Sequence, residues 1–237
     1  EHSSFEEYKH YKMELMRRSD VCFINRDDFY AVDMINNANG KVRLYDLTRV
    51  VDEPVSAVDY LNEQGLRMKF LYKQLIFTIP LPGKFNVSNA LLCIGVCEYL
   101  GIDVMTIKET LKEIHISGRS EFVETYPGVN VFIDFAHNAL SMENILKTML
   151  HYQPKRLITL FGCGGNRDRQ RRYEMGKISG MYATLSIITS DNSRYESTEN
   201  IMADIIRGMK ETSGKYVAIE DRKSAIEFAL QLAQSGD

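Results

Sequence analysis

No apolar run in the 237-residue chain approaches the roughly 20 residues that a bilayer span requires, so a membrane role is not expected. Positive charge is also short. The 29 Lys and Arg against 32 Asp and Glu leave a net charge of −3, which provides no overall basic field for nucleic acid. The four cysteines, Cys22, Cys93, Cys97 and Cys163, are scattered. They make neither a disulfide framework nor the paired CxxC spacing of a zinc site. Cys93 and Cys97 stand four apart in an apolar helical pattern and read as buried free thiols, which suits a reducing cytoplasm. GxSxG, GxGxxG and GxxxxGKS/T are all missing. These gaps argue against a hydrolase nucleophile elbow, a dinucleotide fingerprint and a P-loop within these residues. No repeat or low-complexity segment and no signal peptide is visible. The chain starts at Glu1 and stops at "QSGD", so the expectation is a fragment cut at both ends.

What is present is clearest in the second half. The short apolar runs 129–136, 156–162, 185–191 and 216–220 alternate with helical patterns at 139–151, 169–183, 197–211 and 222–235. Such alternation predicts a parallel sheet covered by helices. Ligands of such sheets bind beyond the carboxyl ends of the strands. "FAHN", "GCGGNRD" and "SDNSR" all fall there and are expected on one rim. The first half is mixed. It reads as a helix over 5–16, a strand running into a turn over 20–28 and antiparallel strands over 42–80. Helices follow at 86–101, closed by Gly101, and at about 104–114. The pattern changes at "HISGRSEF" (115–122), the expected hinge.

Several residues invite a chemical reading beside a plain one. Lys12 falls at 3, 4, 3 spacing among Phe5, Tyr8 and Leu15, so it interrupts an apolar stripe. It is either a lysine snorkelling to water or a functional lysine at the edge of a site. "GCGGNRD" can receive an anion through backbone N–H groups, a helix N-terminus and the guanidinium groups of Arg167 and Arg169; it can equally be a tight turn. Asp191, Asn192 and Arg194 can hold a zwitterion, or they can turn the chain and cap the next helix. Asp134 and His137 sit at a strand end, where a cap and a surface histidine are the ordinary alternative. Asn86 and Asn89, three apart at a helix start, can read the edge of a purine, or one of them can be an N-cap.

Together and in this order, "HSSFEEYKHYKMEL", "INRDD", "LPGKFNVSNAL", "GRSEFVE", "DFAHN", "FGCGGNRDRQRR" and "TSDNSR" resemble the Mur ligases of bacterial cell-wall synthesis. The resemblance spans nearly the whole chain. It is nearest to the members that add the third residue, meso-diaminopimelate, to UDP-N-acetylmuramoyl-L-alanyl-D-glutamate. That likeness implies an α/β fold: residues 1–117 as the later part of a central ATP-binding domain, and 118–237 as a Rossmann-like C-terminal domain with a mainly parallel sheet. The UDP-binding domain and the P-loop would lie upstream and a Lys-Gly-His-Glu segment downstream, so the fragment alone would not ligate. The implied reaction is ATP-dependent amide formation with Mg²⁺. ATP phosphorylates the substrate's terminal carboxylate, and the incoming amine displaces phosphate from the acyl phosphate.

By the same resemblance, Lys12 corresponds to a carbamylated, metal-holding lysine and His2 to a histidine near that metal. Asn86 and Asn89 correspond to amides around adenine, and Arg119, Asp134 and His137 to further ATP contacts. Arg167, Asp191, Asn192 and Arg194 correspond to the pocket for the amino acid. Three departures stand at the substrate rim. Ser193 replaces the proline of Asp-Asn-Pro-Arg, "DFAHNALSM" replaces "DYAHTPDAL", and "RRYEM" replaces "KRPLM". They leave room for a ligase with another acceptor, such as lysine, or for a folylpolyglutamate or cyanophycin synthetase, which should lack the GCGGNRDR and DNSR pair. A non-catalytic binding module is a further alternative. A nucleic-acid binder using Arg167, Arg169, Arg171 and Arg172 is disfavoured by net acidity.

Overall fold

The computed structural model describes residues 4–62, 66–123, 125 and 127–237. The chain divides into two compact units. One comprises Glu1–Leu61, Arg67–Pro80 and Lys84–Ile114, and the other Asn62–Leu66, Leu81–Gly83 and His115–Asp237.

In the first unit, helix α1 (Phe5–Arg18) starts where the Ser4 side chain accepts from the Glu7 N–H, an ordinary N-cap. Strand β1 (Val21–Asn25) leads through helix α2 (Ala31–Asn37) to strand β2 (Lys41–Asp46), which pairs with β1 in parallel. This is a βαβ unit, where the sequence suggested a strand running into a turn over 20–28 and antiparallel strands and turns over 42–80. Helix α2 is a short crossover whose Met34 and Ile35 pack with Ala31 on Cys22 and Ile24. Strands β3 (Arg49–Val50), β4 (Glu53–Asn62), β5 (Leu66–Tyr72) and β6 (Leu75–Ile79) complete a six-stranded sheet in sequence order. Their described pairings are antiparallel, as expected. Every second residue of β5 is buried, from Leu66 to Tyr72, the pattern of a strand with one core face. Phe70 stacks on Phe77 of β6 with centroids 5.3 Å apart. The core-facing helices are α3 (Lys84–Tyr99) and α4 (Val104–Lys112), the latter capped by Asp103.

Two expectations fail in this unit. Phe5, Tyr8 and Leu15 of the presumed apolar stripe are exposed, and the buried residue of α1 is Met13. Aromatic residues that keep a polar or cationic neighbour tolerate solvent, so the stripe marked the wrong face. Cys93 is exposed rather than buried, although all four thiols are free.

The second unit opens with a hairpin, β7 (Glu121–Val123) against β8 (Val131–Ile133), antiparallel. The sequence suggested that the β8 run belongs to the parallel sheet. Its partner is instead β7, and the Phe122 and Phe132 rings face each other at 5.5 Å, a cross-strand aromatic pair. The parallel sheet has three strands in the order β11-β10-β9: β9 (Ile158–Phe161), β10 (Leu185–Ile188) and β11 (Tyr216–Ala218). Its helices are α5 (Ala139–His151), α6 (Arg169–Tyr182), α7 (Thr198–Met209) and α8 (Arg222–Leu232). Phe161 and Ile188 meet Met142, Met175 and Ile205 in one apolar core. Helices α6 and α7 touch backbone to backbone: a Cβ on Gly176 would lie 2.1 Å from the Ile205 carbonyl, and one on Gly208 1.9 Å from that of Tyr173. No helix among the described residues is long and apolar enough to cross a membrane.

Candidate functional site

The loops that leave β9 and β10 lie side by side. The Gly165 N–H donates to the Asn192 carbonyl at 2.8 Å, and the Tyr195 N–H to Asn166 Oδ1 at 3.2 Å. A Cβ on Gly165 would sit 1.8 Å from the Ser193 carbonyl, so only glycine allows this approach. Asp168 caps α6 by accepting from the Gln170 N–H. Asp191 and Asn192 do not cap α7, which begins after Ser197. Asp191 accepts instead from the Asn192 N–H at 2.6 Å, and Asn192 Oδ1 from the Arg194 N–H at 3.3 Å. These turns hold Arg194 in left-handed backbone, φ 52°. Arg167, Asp191, Asn192 and Arg194 are all exposed. Two loops thus present two guanidinium groups, a carboxylate and an amide to solvent.

Beneath them, Arg169 and Arg172, which the sequence offered only as contacts for an external anion, are paired with Glu196 and Asp204 of the chain itself. Arg172 is fully buried. Its guanidinium donates to Glu196, to Asp204 at 3.2 Å, and to the carbonyls of Gly164 and Arg167 at 3.4 and 3.5 Å. Arg169 grips Asp204 with two bonds of 2.9 and 3.2 Å, so it is committed to an internal carboxylate. The Asn166 N–H, an anion donor at the loop tip, goes to Glu196. The Arg172 guanidinium and the Asn166 N–H hold the Glu196 carboxyl below the usual carboxylate range. Burial pushes Asp204 up, but Arg169 and Arg172 outweigh it and the net direction is down. Burial raises the nearby Cys163 thiol to about 11, which keeps it protonated and inert at neutral pH.

The segment after β8 is built differently. Asp134 accepts from the Ser120 N–H at 2.8 Å, the Ser120 hydroxyl at 3.2 Å and the Ala136 N–H at 2.8 Å. It ties this segment to Ser120; the cap of α5 is Asn138. Ser120 is buried in left-handed backbone, φ 46°. Arg119 is exposed, with its guanidinium 4.8 Å from the centroid of the Phe135 ring. The same ring lies 5.3 Å from that of His137, which is exposed. Arg119, Asp134 and His137 therefore form one group. The group follows β8, whose described partner is β7 rather than the three-stranded sheet, while Asp134 and Ala136 line one cavity with Thr159 and Phe161 of β9.

In the other unit, Asn86 is buried and Asn89 exposed on α3. The helix starts at Lys84, so neither is its N-cap. Ser88, between them, receives the Asn25 amide at 3.5 Å. Lys12 is exposed, its Nζ 5.4 Å from the Tyr8 ring centroid. His2 lies outside the described residues. Lys12 is open to CO₂ and as a carbamate would supply one anionic ligand. No group of three His, Cys, Asp or Glu among the described residues could hold a metal ion, so these residues do not make a Mg²⁺ site by themselves.

Residues 118–237 match the Mur ligase glutamate ligase domain and residues 1–97 the Mur ligase middle domain. The chain belongs to the Mur ligase family. It is 38% identical over 240 residues to the UDP-N-acetylmuramoyl-L-alanyl-D-glutamate–2,6-diaminopimelate ligase of Caldanaerobacter subterraneus subsp. tengcongensis, a match covering 100% of this chain and 49% of that one. With the protein of the same name from Clostridium botulinum it shares 35% over 241 residues, at the same coverage. A solved structure of a ligase of that name aligns with TM-score 0.60 at 31% identity, over 100% of this chain and 50% of that one. Folylpolyglutamate synthase of Mycobacterium tuberculosis aligns with TM-score 0.71 at 18% identity, over 93% and 51%, a likeness of fold alone. The chain spans about half the length of the curated relatives it matches.

Proposed function

We propose that the chain is part of an ATP-dependent ligase that joins meso-diaminopimelate to the terminal carboxylate of UDP-N-acetylmuramoyl-L-alanyl-D-glutamate, in the cytoplasm, for peptidoglycan synthesis. Residues 1–117 would be the later part of its central domain and 118–237 its C-terminal domain. ATP transfers its terminal phosphoryl group to the carboxylate, giving an acyl phosphate, a mixed anhydride, and releasing ADP. The amine of the amino acid then forms the C–N bond as phosphate departs. The chain's part in this is positioning and charge compensation. Asn86 and Asn89 serve the adenine, and Arg119, Asp134 and His137 the remainder of the nucleotide. Lys12, as a carbamate, would contribute one ligand to Mg²⁺, and His2 is proposed as a further residue for that metal.

The observation that carries the reading is the loop pair. Arg167 and Arg194 are exposed, one on each of two loops hydrogen-bonded to each other, with Asp191 between them in sequence. A guanidinium grips a carboxylate by two parallel bonds, and Asp191 suits an amine. Such a set fits the distal zwitterionic end of diaminopimelate; lysine has the amine but no distal carboxylate. The test is kcat/KM for diaminopimelate and for lysine, on a polypeptide of the relatives' full length that carries this chain. Wild type should prefer diaminopimelate, and Arg194→Ala should lower that kcat/KM about ten- to a hundredfold with little change for lysine. Preference for lysine, or an unchanged ratio in the variant, would sink the reading. Lys12→Ala should abolish turnover, with partial recovery in short-chain carboxylates; full activity without them removes the carbamate role.

A further inference from the structure

We propose that Arg172, which never reaches solvent, is the positioning residue of the amino-acid site: with Glu196 it locks the two loops together and so fixes the spacing between Arg167 and Arg194. The inference rests on the ligase reading for its substrate, while the interlock itself is geometric. Arg172 lies one turn into α6, where the close contact of Gly176 and Gly208 brings α7 and its Asp204 within reach. From there its fork spans three elements. One edge meets Asp204 of α7, another Glu196 of the β10 loop, and two weaker bonds reach the Gly164 and Arg167 carbonyls of the β9 loop. Glu196 also takes the Asn166 N–H. The Nη1 and Nη2 groups of one planar guanidinium meet this set, while its buried Nε has no partner among the described residues; a lysine ammonium, with donors on one atom, cannot span it.

Two consequences bear on specificity. The Gly165 and Asn166 N–H groups of the Gly-rich loop are already used, by the Asn192 carbonyl and by Glu196, which favours the exposed Arg167 and Arg194 side chains as partners of a ligand carboxylate. Arg167 also carries a carbonyl bonded to Arg172, while Arg194 stands two residues before Glu196. Moving Arg172 or Glu196 therefore shifts both clamp arms at once. A displacement of about 1 Å suffices to cost a large factor in a positioned reaction.

The experiment uses the full-length protein with Arg172→Lys, Glu196→Gln and the double variant. Amide hydrogen exchange should quicken about tenfold at Gly165, Asn166 and Tyr195, with Ile187 and Ile188 in the sheet unchanged. KM for diaminopimelate should rise about tenfold with kcat and the KM for ATP unchanged, and the double variant should be no worse than the worse single one. Glu196 is partly exposed, so Glu196→Gln keeps the test alive if Arg172→Lys fails to fold. Unchanged exchange at the three amides, or equal rises in KM for all substrates, would overturn the positioning role. Absence of ligation by the wild type would instead overturn the ligase reading.

Discussion

The loop pair after β9 and β10 and the segment after β8 both hold residues assigned here to substrates, but they are held in opposite ways. In the first, a buried arginine distributes its donors over two carboxylates and two carbonyls, and the helices below are locked by glycines. In the second, one carboxylate, that of Asp134, holds one strained serine, and the rest is exposed. The contrast separates two loops tied to each other and to the helix beneath them from a segment held by one carboxylate, which a single change can release. The first suits selection of a small amino acid, where a missing partner is penalised. The second suits a joint that changes its backbone angles.

Ways to break the contrast run from large to small. Arg172→Ala leaves Asp204 buried beside fewer cations and should cost about 3–5 kcal/mol, read as a loss of denaturation midpoint. Gly176→Ala drives a methyl into the Ile205 carbonyl and should cost about 1–3 kcal/mol. If that variant is as stable as wild type, the close helix contact is not what places Asp204. Asp134→Ala removes three hydrogen bonds and releases the Ser120 backbone, about 1–3 kcal/mol. Its effect should be local, as faster proteolysis around 117–121 with the loop pair still protected; loss of protection at Gly165 would merge the two regions.

The smallest effect is that of pH. Glu196 and Asp204 have ordinary values of 4.5 and 3.8 and are held lower in the fold. Their contribution is therefore complete above about pH 4.5 and is lost as pH falls through the depressed values. Stability of the loop pair should be flat from neutral pH down to that point and fall below it; Glu196→Gln should flatten part of that fall.

Much of this was legible in the sequence. The alternation after residue 118 announced the helices and the parallel strands β9, β10 and β11, because period and punctuation are local. The two loops that meet were also legible, since strand ends in such sheets share a rim. Arg172 was not. It stands in a run with Arg167, Arg169 and Arg171 that is uniform in sequence, and its burial depends on Asp204, thirty-two positions away. Helix α2 was missed because seven residues carry only one apolar turn and a half. The partner of β8 was misread because its apolar run suits either sheet, and the choice is made by Phe122 across the hairpin. On α1, periodicity selected Phe5, Tyr8 and Leu15, while packing selected Met13.

The most direct measurement of the central claim is a structure of the full-length protein with diaminopimelate bound. The account predicts the distal carboxylate between the guanidinium groups of Arg167 and Arg194, its amine at Asp191, and the Arg172–Glu196 pair unmoved. Diaminopimelate seated away from both loops, or Glu196 displaced from Arg172 by the ligand's carboxylate, would contradict it.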